Sequence, residues 1–181
     1  MGIRSRAVNR AVYLDRDGVL NLPVIRNGLP FPPASVAETR IFDDALPALG
    51  MLKDAGYKLA MISNQPDVAR GTTRRQEVEA INAMLVAALP IDHLEVCYHD
   101  DADQCDCRKP KPGLIYMAAR KLGVDPKNGF VIGDRWRDIE AGRAAACRTV
   151  WIDRGYSERL PTDYDFRAGS LLASAEWILE Q

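Results

Sequence analysis

Five short apolar runs recur along the chain, separated by segments with helical spacing, and few folds accommodate that alternation. The runs are AVYLD (11–15), KLAMIS (58–63), LEVCY (94–98), FVIGD (130–134) and TVWID (149–153). Near-continuous apolarity over strand length is what a parallel sheet buried on both faces asks of its strands. Between the runs, DDALPALGMLKDAGY places Leu46, Leu49 and Leu52 on one side and stops near Gly56. TRRQEVEAINAMLVAALP carries Val78, Ile81, Leu85 and Leu89. GLIYMAARKLG opens after Pro112 and closes at Gly123, the usual asymmetry of helix ends. RDIEAGRAAAC and GSLLASAEWIL complete the set. Strands alternating with helices predict βαβ units, a parallel sheet and an α/β fold. With 181 residues, no repeat and no linker, one domain over 1–181 is expected.

Residues 22–40 (LPVIRNGLPFPPASVAETR) break the rhythm with four prolines and the turn signals N-G and P-P. A connection this long in a compact domain is either functional or a passive excursion. It leaves directly after Asp15-Arg16-Asp17-Gly18, so the expectation is a loop that covers a site there.

Ligands of an open α/β sheet bind beyond the carboxyl ends of its strands, and the polar residues gather there. Alternation puts Asp15 and Asp17 on one side at the end of the first strand, with Arg16 pointing elsewhere. A D-x-D pair by itself is more often a solvated loop. Here the second strand ends in Ser63-Asn64-Gln65, offering a hydroxyl and amides to an anion. The fourth ends in Gly133-Asp134, with Asp138 in the following helix, and Arg108-Lys109-Pro110 lies between the third and fourth. Carboxylates for a divalent cation, neutral donors for oxyanions and a lysine to offset charge are what phosphoryl transfer needs.

The order DRDG, SNQ, RKP, GDRWRD resembles the haloacid dehalogenase-like (HAD) phosphotransferases over nearly the whole chain. The resemblance implies a three-layer Rossmann-like fold with a central parallel sheet. It implies Asp15 as nucleophile, forming an aspartyl-phosphate, and Asp17 as the acid and base. It assigns a catalytic Mg²⁺ to Asp15, the Asp17 main-chain carbonyl and Asp134. Ser63 and Lys109 would hold the phosphoryl oxygens, and Asp138 would position Lys109 or a metal-bound water.

Four cysteines occur, three of them beside a histidine: Cys97-Tyr98-His99, five residues, then Cys105-Asp106-Cys107. Each pair can aim two ligands the same way. Three thiolates and one imidazole make a closed tetrahedral set, which predicts structural Zn²⁺ in a 97–107 loop bracing Arg108 and Lys109. The alternative is free thiols that happen to cluster. Cys147 reads as a core thiol and His93 as structural.

The zinc loop joined to RKP resembles the D-glycero-D-manno-heptose 1,7-bisphosphate phosphatases and the related histidinol-phosphate phosphatases, small HAD enzymes without a large cap domain. That resemblance implies Arg108 in substrate recognition and Pro23, Val24, Ile25, Arg26, Asn64 and Gln65 along the sugar. This chain departs from the pattern at Ser63 (commonly threonine), Pro66-Asp67 (often Ser-Gly), Lys111 (often histidine) and Arg135 (often lysine). The expected reaction is hydrolysis of a small sugar phosphate, with the 7-phosphate of the heptose bisphosphate leading. Histidinol phosphate or another small phosphomonoester is the alternative, followed by a polynucleotide 3′-phosphatase and a non-catalytic sugar-phosphate sensor.

Charge narrows the partners. Lys and Arg number 24 against 25 Asp and Glu, a net charge of −1, which gives no footprint for long nucleic acid or an anionic membrane. No run approaches the roughly 20 apolar residues of a bilayer span, and the basic start MGIRSRAVNR is followed by no signal core. The cysteine usage fits a reducing, cytoplasmic setting, and a capless domain is most simply a monomer.

Overall fold

A computed structural model describes residues 9–181; the basic start of the chain lies largely outside them. In chain order come β1 (Ala11–Leu14), the hairpin strands β2 (Val24–Arg26) and β3 (Leu29–Phe31), α1 (Ala45–Asp54) and β4 (Lys58–Asn64). Then follow α2 (Arg75–Ala88), β5 (His93–Cys97), α3 (Gly113–Leu122), β6 (Phe130–Gly133) and α4 (Trp136–Ala144). The chain closes with β7 (Arg148–Ile152), β8 (Phe166–Ala168) and α5 (Leu171–Leu179).

Six strands form one parallel sheet in the order β5-β4-β1-β6-β7-β8. Period-2 alternation sends Val12, Leu14, Leu59, Met61 and Ile132 to one face, against Leu49, Leu52, Ile81, Leu85 and Ile178 of α1, α2 and α5. Ala11, Tyr13, Ala60, Ile62 and Val131 face Leu114, Ile115, Ala118 and Ala141 of α3 and α4. The expected three-layer α/β architecture with a central parallel sheet is therefore present. No helix among the described residues is long and apolar enough to cross a membrane.

Sheet order decides where ligands go. From β1 the chain moves outward to β4 and β5; from β6 it moves the other way to β7 and β8. β1 and β6 are adjacent, so the crevice at the switch point opens over Leu14 and Gly133.

Three local features differ from the sequence reading. Leu46 is 57% exposed, and the buried stripe of α1 is Ala45, Ala48, Leu49 and Leu52. That is the i, i+3, i+4, i+7 set, in which two alanines supply the close contacts. β8 (FRA) was not expected, because a short edge strand with a charged residue carries no apolar run. Residues 24–31 form a two-stranded antiparallel hairpin rather than an open loop. Its Asn27-Gly28 turn has φ of 52° and 75°, the double positive φ that makes Asn-Gly the favoured hairpin dipeptide.

Candidate active site

Asp15 continues β1 past its last paired residue, donating its N–H to the Ile132 carbonyl of β6 at 3.0 Å. The turn at Gly18 (φ +88°) follows. A Cβ there would lie 1.7 Å from Asp134 Oδ2, so glycine is required both for the backbone and for the approach of the two strand ends. Arg16 does not point away as alternation suggested. Its fully buried guanidinium folds back onto Asp17 Oδ2 (Nε 3.1 Å, Nη2 3.0 Å) and donates to Asn82 Oδ1 at 2.9 Å. A strand's alternation ends with its ladder, and a charged group buried there needs an anion. Asn21 and Gln65 add donors to Asp17 at 3.0 and 2.9 Å, so its carboxylate is held from three sides.

Lys109 is the centre of the site. Its side chain is 2% exposed, and Nζ lies 2.8 Å from Asp15 Oδ1, 2.7 Å from Asp138 Oδ1 and 3.0 Å from the Ile62 carbonyl. Three acceptors satisfy the three donors of an ammonium. Burial works against its charge, but the carboxylates of Asp138 and Asp15 outweigh it and raise the pKa above the ordinary lysine value. Burial, then the charge of Asp138, push Asp15 up to about 6, with Lys109 pulling the other way. Asp134 is also raised above the ordinary carboxylate range, by burial first and then by the charges of Asp15 and Asp138.

These carboxylates fit a divalent cation. One oxygen from each of Asp15, Asp134 and Asp138 lies within 4.8 Å of the others. Asp134 Oδ1 is buried with no hydrogen-bond partner, while Oδ2 accepts from the Tyr156 hydroxyl at 2.6 Å. An orphaned carboxylate oxygen among like charges is the arrangement a hard cation relieves. Asp138 is engaged on both oxygens by protein, through Lys109 and the Arg135 N–H (3.1 Å), which fits it for holding Lys109.

A cleft of about 260 Å³ opens above these groups. Asp15, Asp17, Asn64, Arg108 and Lys109 line it, as the sequence suggested. The remaining residues expected along the sugar sit differently. The hairpin presents Leu29, Pro30, Phe31 and Pro32 of its second strand to the cleft, whereas Pro23, Val24, Ile25 and Arg26 are not on that wall, and Ile25 is 54% exposed. Nothing in the local sequence distinguishes the two strands; distant segments hold the hairpin, among them the Ser157 N–H on the Gly28 carbonyl at 2.9 Å. Both amides at the end of β4 are committed to protein: Asn64 exchanges two hydrogen bonds with the Lys109 main chain, and Gln65 donates to Asp17 and to Ser63 Oγ. Ser63 is buried beneath them. They orient the machinery rather than offer free donors.

Arg70, Arg135 and Arg137 also line the cleft and were not singled out for it. Each lies in a loop or first turn beyond a strand's carboxyl end, the one signal that pointed to them. Arg70 is paired with Asp100 (2.6 Å) and Arg135 with Glu158 (2.9 Å through Nε). Arg108 Nε donates to Asp101 at 2.8 Å but its Nη1 is buried without a partner. Arg137 reaches the same, 62% exposed Asp101 only at 3.8 Å. Burial lowers the Arg137 pKa, and the like charges of Arg108 and Arg135 add to that against Asp101.

Cys97, His99, Cys105 and Cys107 place their ligand atoms within 4.8 Å of one another. The sulfurs are 3.2, 3.5 and 3.7 Å apart, and His99 Nδ1 lies 3.5 and 3.3 Å from Cys97 and Cys107. Tetrahedral zinc with Zn–S bonds of about 2.3 Å needs sulfurs about 3.8 Å apart, so the set fits with a small expansion. The Cys105 thiol is lowered to about 7: burial opposes this, but the Arg108 N–H and the neighbouring thiols outweigh it. Lys111 ties the loop by donating to the Cys105 carbonyl at 2.7 Å. Cys147 is buried with its thiol pushed up to about 12 by burial, and His93 pairs with Glu95 at 2.8 Å on the edge strand β5.

Comparison with known proteins agrees with this geometry. Residues 33–146 match the haloacid dehalogenase-like hydrolase family. A D-glycero-beta-D-manno-heptose-1,7-bisphosphate 7-phosphatase of Pasteurella multocida is 31% identical over 160 residues, 82% of this chain and 84% of that protein. The protein of the same name from Pseudomonas aeruginosa is 33% identical over 159 residues, 82% and 83% of the two chains. Among solved structures, the D,D-heptose 1,7-bisphosphate phosphatase of B. bronchiseptica, complexed with magnesium and phosphate, superposes with a TM-score of 0.80 at 28% identity. That match covers 96% of this chain and 99% of the other. With its motifs at the strand ends of the matching fold, the chain belongs to the haloacid dehalogenase-like hydrolases.

Proposed function

We propose that the chain is a Mg²⁺-dependent phosphomonoesterase that removes the 7-phosphate of D-glycero-D-manno-heptose 1,7-bisphosphate. The observation that carries the reaction class is buried Lys109 bridging Asp15 and Asp138 at the switch point, beside the unpartnered oxygen of Asp134. Asp15 attacks phosphorus; the Asp15 O–P bond forms as the bond to the sugar oxygen breaks, and Asp17 supplies that oxygen's proton. Asp17 then takes a proton from water, whose oxygen displaces Asp15 from phosphorus. Lys109 holds a phosphoryl oxygen, and Ser63, buried beneath Gln65 and off the cleft wall, acts only through that amide. Asp15, the Asp17 carbonyl and Asp134 would hold magnesium, which supplies positive charge against the phosphoryl oxygens. The whole chain acts as one catalytic unit, a cytoplasmic monomer whose four cysteines, none in a disulfide, suit a reducing compartment.

The relatives named above supply the substrate class, and the cleft supports it. Arg108 Nη1 and Arg137 are the least committed donors among the arginines lining it, and an anionic group at the substrate's other end would meet them. Histidinol phosphate carries an ammonium at that end and would meet like charge. Phosphate release from heptose 1,7-bisphosphate, histidinol phosphate and a 3′-phosphorylated oligonucleotide, measured in parallel, tests this. We expect kcat/KM highest on the bisphosphate by about 100-fold. A comparable preference for either other substrate overturns the assignment, and no turnover of any of them favours the sensor reading.

Structural zinc in the 97–107 loop is the second part of the proposal. Purified protein should contain about one equivalent of zinc per chain. Folded, active protein free of zinc would remove the metal from this account. Because Cys107 directly precedes Arg108 and Lys109, zinc acts on catalysis only by holding that segment.

A further inference from the structure

The segment after β7, residues 153–161, carries no motif, yet it closes over the back of the carboxylate site. Tyr156 donates its hydroxyl to Asp134 Oδ2 at 2.6 Å, while Asp134 Oδ1 stays buried and unpartnered. The chain is tied down before and after Tyr156: Arg154 Nε donates to the Gly18 carbonyl at 2.9 Å, and the Ser157 N–H donates to the Gly28 carbonyl of the hairpin turn at 2.9 Å. The hydroxyl would stand 2.8 Å from a Cβ at position 18, so the glycine there makes room for this contact as well as for Asp134. Trp151 Nε1 fixes the same residue from its main-chain oxygen at 3.1 Å.

The two oxygens of Asp134 are thus made unequal. Calcium accepts bidentate carboxylates and six to eight flexible ligands, whereas magnesium demands near-octahedral single oxygens. A carboxylate with both oxygens free can serve either ion; one whose second oxygen already accepts a short hydrogen bond is held to a single metal contact. We propose that Tyr156 is a positioning residue that makes Asp134 a one-oxygen ligand and so biases the site toward magnesium over calcium. This rests on the reading above that Asp134 is a ligand of the cation.

The test is calorimetric titration of MgCl₂ and, separately, CaCl₂ into the full zinc-loaded chain after dialysis into magnesium-free buffer. Wild type, Tyr156→Phe, Tyr156→Met, Trp151→Phe and Asp134→Asn are compared. Removing the hydroxyl should weaken magnesium binding by about tenfold and raise the calcium-to-magnesium affinity ratio by a similar factor. Trp151→Phe, which loses a bond to the main chain and not to the carboxylate, should leave that ratio unchanged. Either Tyr156 variant suffices should the other not fold, since methionine fills the ring's volume without a donor. A ratio within about twofold of wild type in the folded Tyr156 variant overturns the proposal. If instead Asp134→Asn binds magnesium as wild type does, the ligand assignment itself fails and takes the proposal with it.

Discussion

Asp15→Asn will stop phosphate release while leaving the protein folded and the cysteine-histidine cluster undisturbed. The amide keeps the carboxylate's shape and an acceptor oxygen for Lys109 Nζ, now 2.8 Å away, but it cannot form the acyl-phosphate bond. Loss of a nucleophile costs on the order of 10⁴-fold or more in kcat. Circular dichroism and zinc content should match wild type, and acid quenching during turnover should trap phosphate on wild type alone. Residual activity within about tenfold of wild type would show that another group attacks phosphorus.

Replacing Lys109 by methionine should be the most damaging change to stability as well as to turnover. The lysine lies among Asp15, Asp134 and Asp138, all buried, and its removal leaves like charges with no cation. Breaking a buried pair by deleting one partner costs about 3–5 kcal/mol, which in a chain of this length lowers Tm by roughly 10 °C. The sign with pH is fixed by Asp15. Its folded-state pKa, already raised to about 6, rises further without Lys109, whereas the unfolded carboxyl titrates near its ordinary value. A raised carboxyl pKa destabilises the fold as pH climbs from the unfolded value through the folded one. The deficit of Lys109→Met against wild type, both measured without magnesium, should therefore be largest above pH 6 and shrink toward pH 4. A deficit independent of pH would mean that lost packing, and not uncompensated charge, dominates.

Much of this was written in the sequence because local patterns carried it. Strand-length apolar runs with turn and cap signals between them lay close to β1, β4, β5, β6 and β7, with boundaries off by a residue or so at the ends. The cysteine-histidine cluster was legible for the same reason, since its four side chains lie within eleven consecutive positions (97–107) and two extended pairs suffice to bring them together. Asp15, Lys109 and Asp134 could be named because the strand-end rule gathers such residues, whatever the loops between them do.

What was not legible lay in side chains whose partners are distant in sequence. Arg16 alternates away from Asp15 on paper, but its guanidinium turns back to Asp17 and across to Asn82, 66 residues on. Gln65 and Asn64 look like free amide donors until Asp17 and the Lys109 main chain claim them. The wall of the cleft is Leu29–Pro32 and not Pro23–Arg26, a choice the Asn27-Gly28 turn signal does not carry, and the turn is itself tied to Ser157, far along the chain. Tyr156, in a stretch without periodicity, meets Asp134 only after β7 returns the chain beside β6.

The division follows from the range of the forces involved. Periodicity, turn chemistry and the reactive groups at strand ends are local, so the sequence alone determined an α/β sheet, a phosphoryl-transfer set and a clustered loop of three cysteines and a histidine. Burial and charge pairing act between segments far apart in the chain. Only the tertiary structure decided that Lys109 would be the counter-charge of Asp15 and Asp138, and which oxygen of Asp134 would be left for a cation.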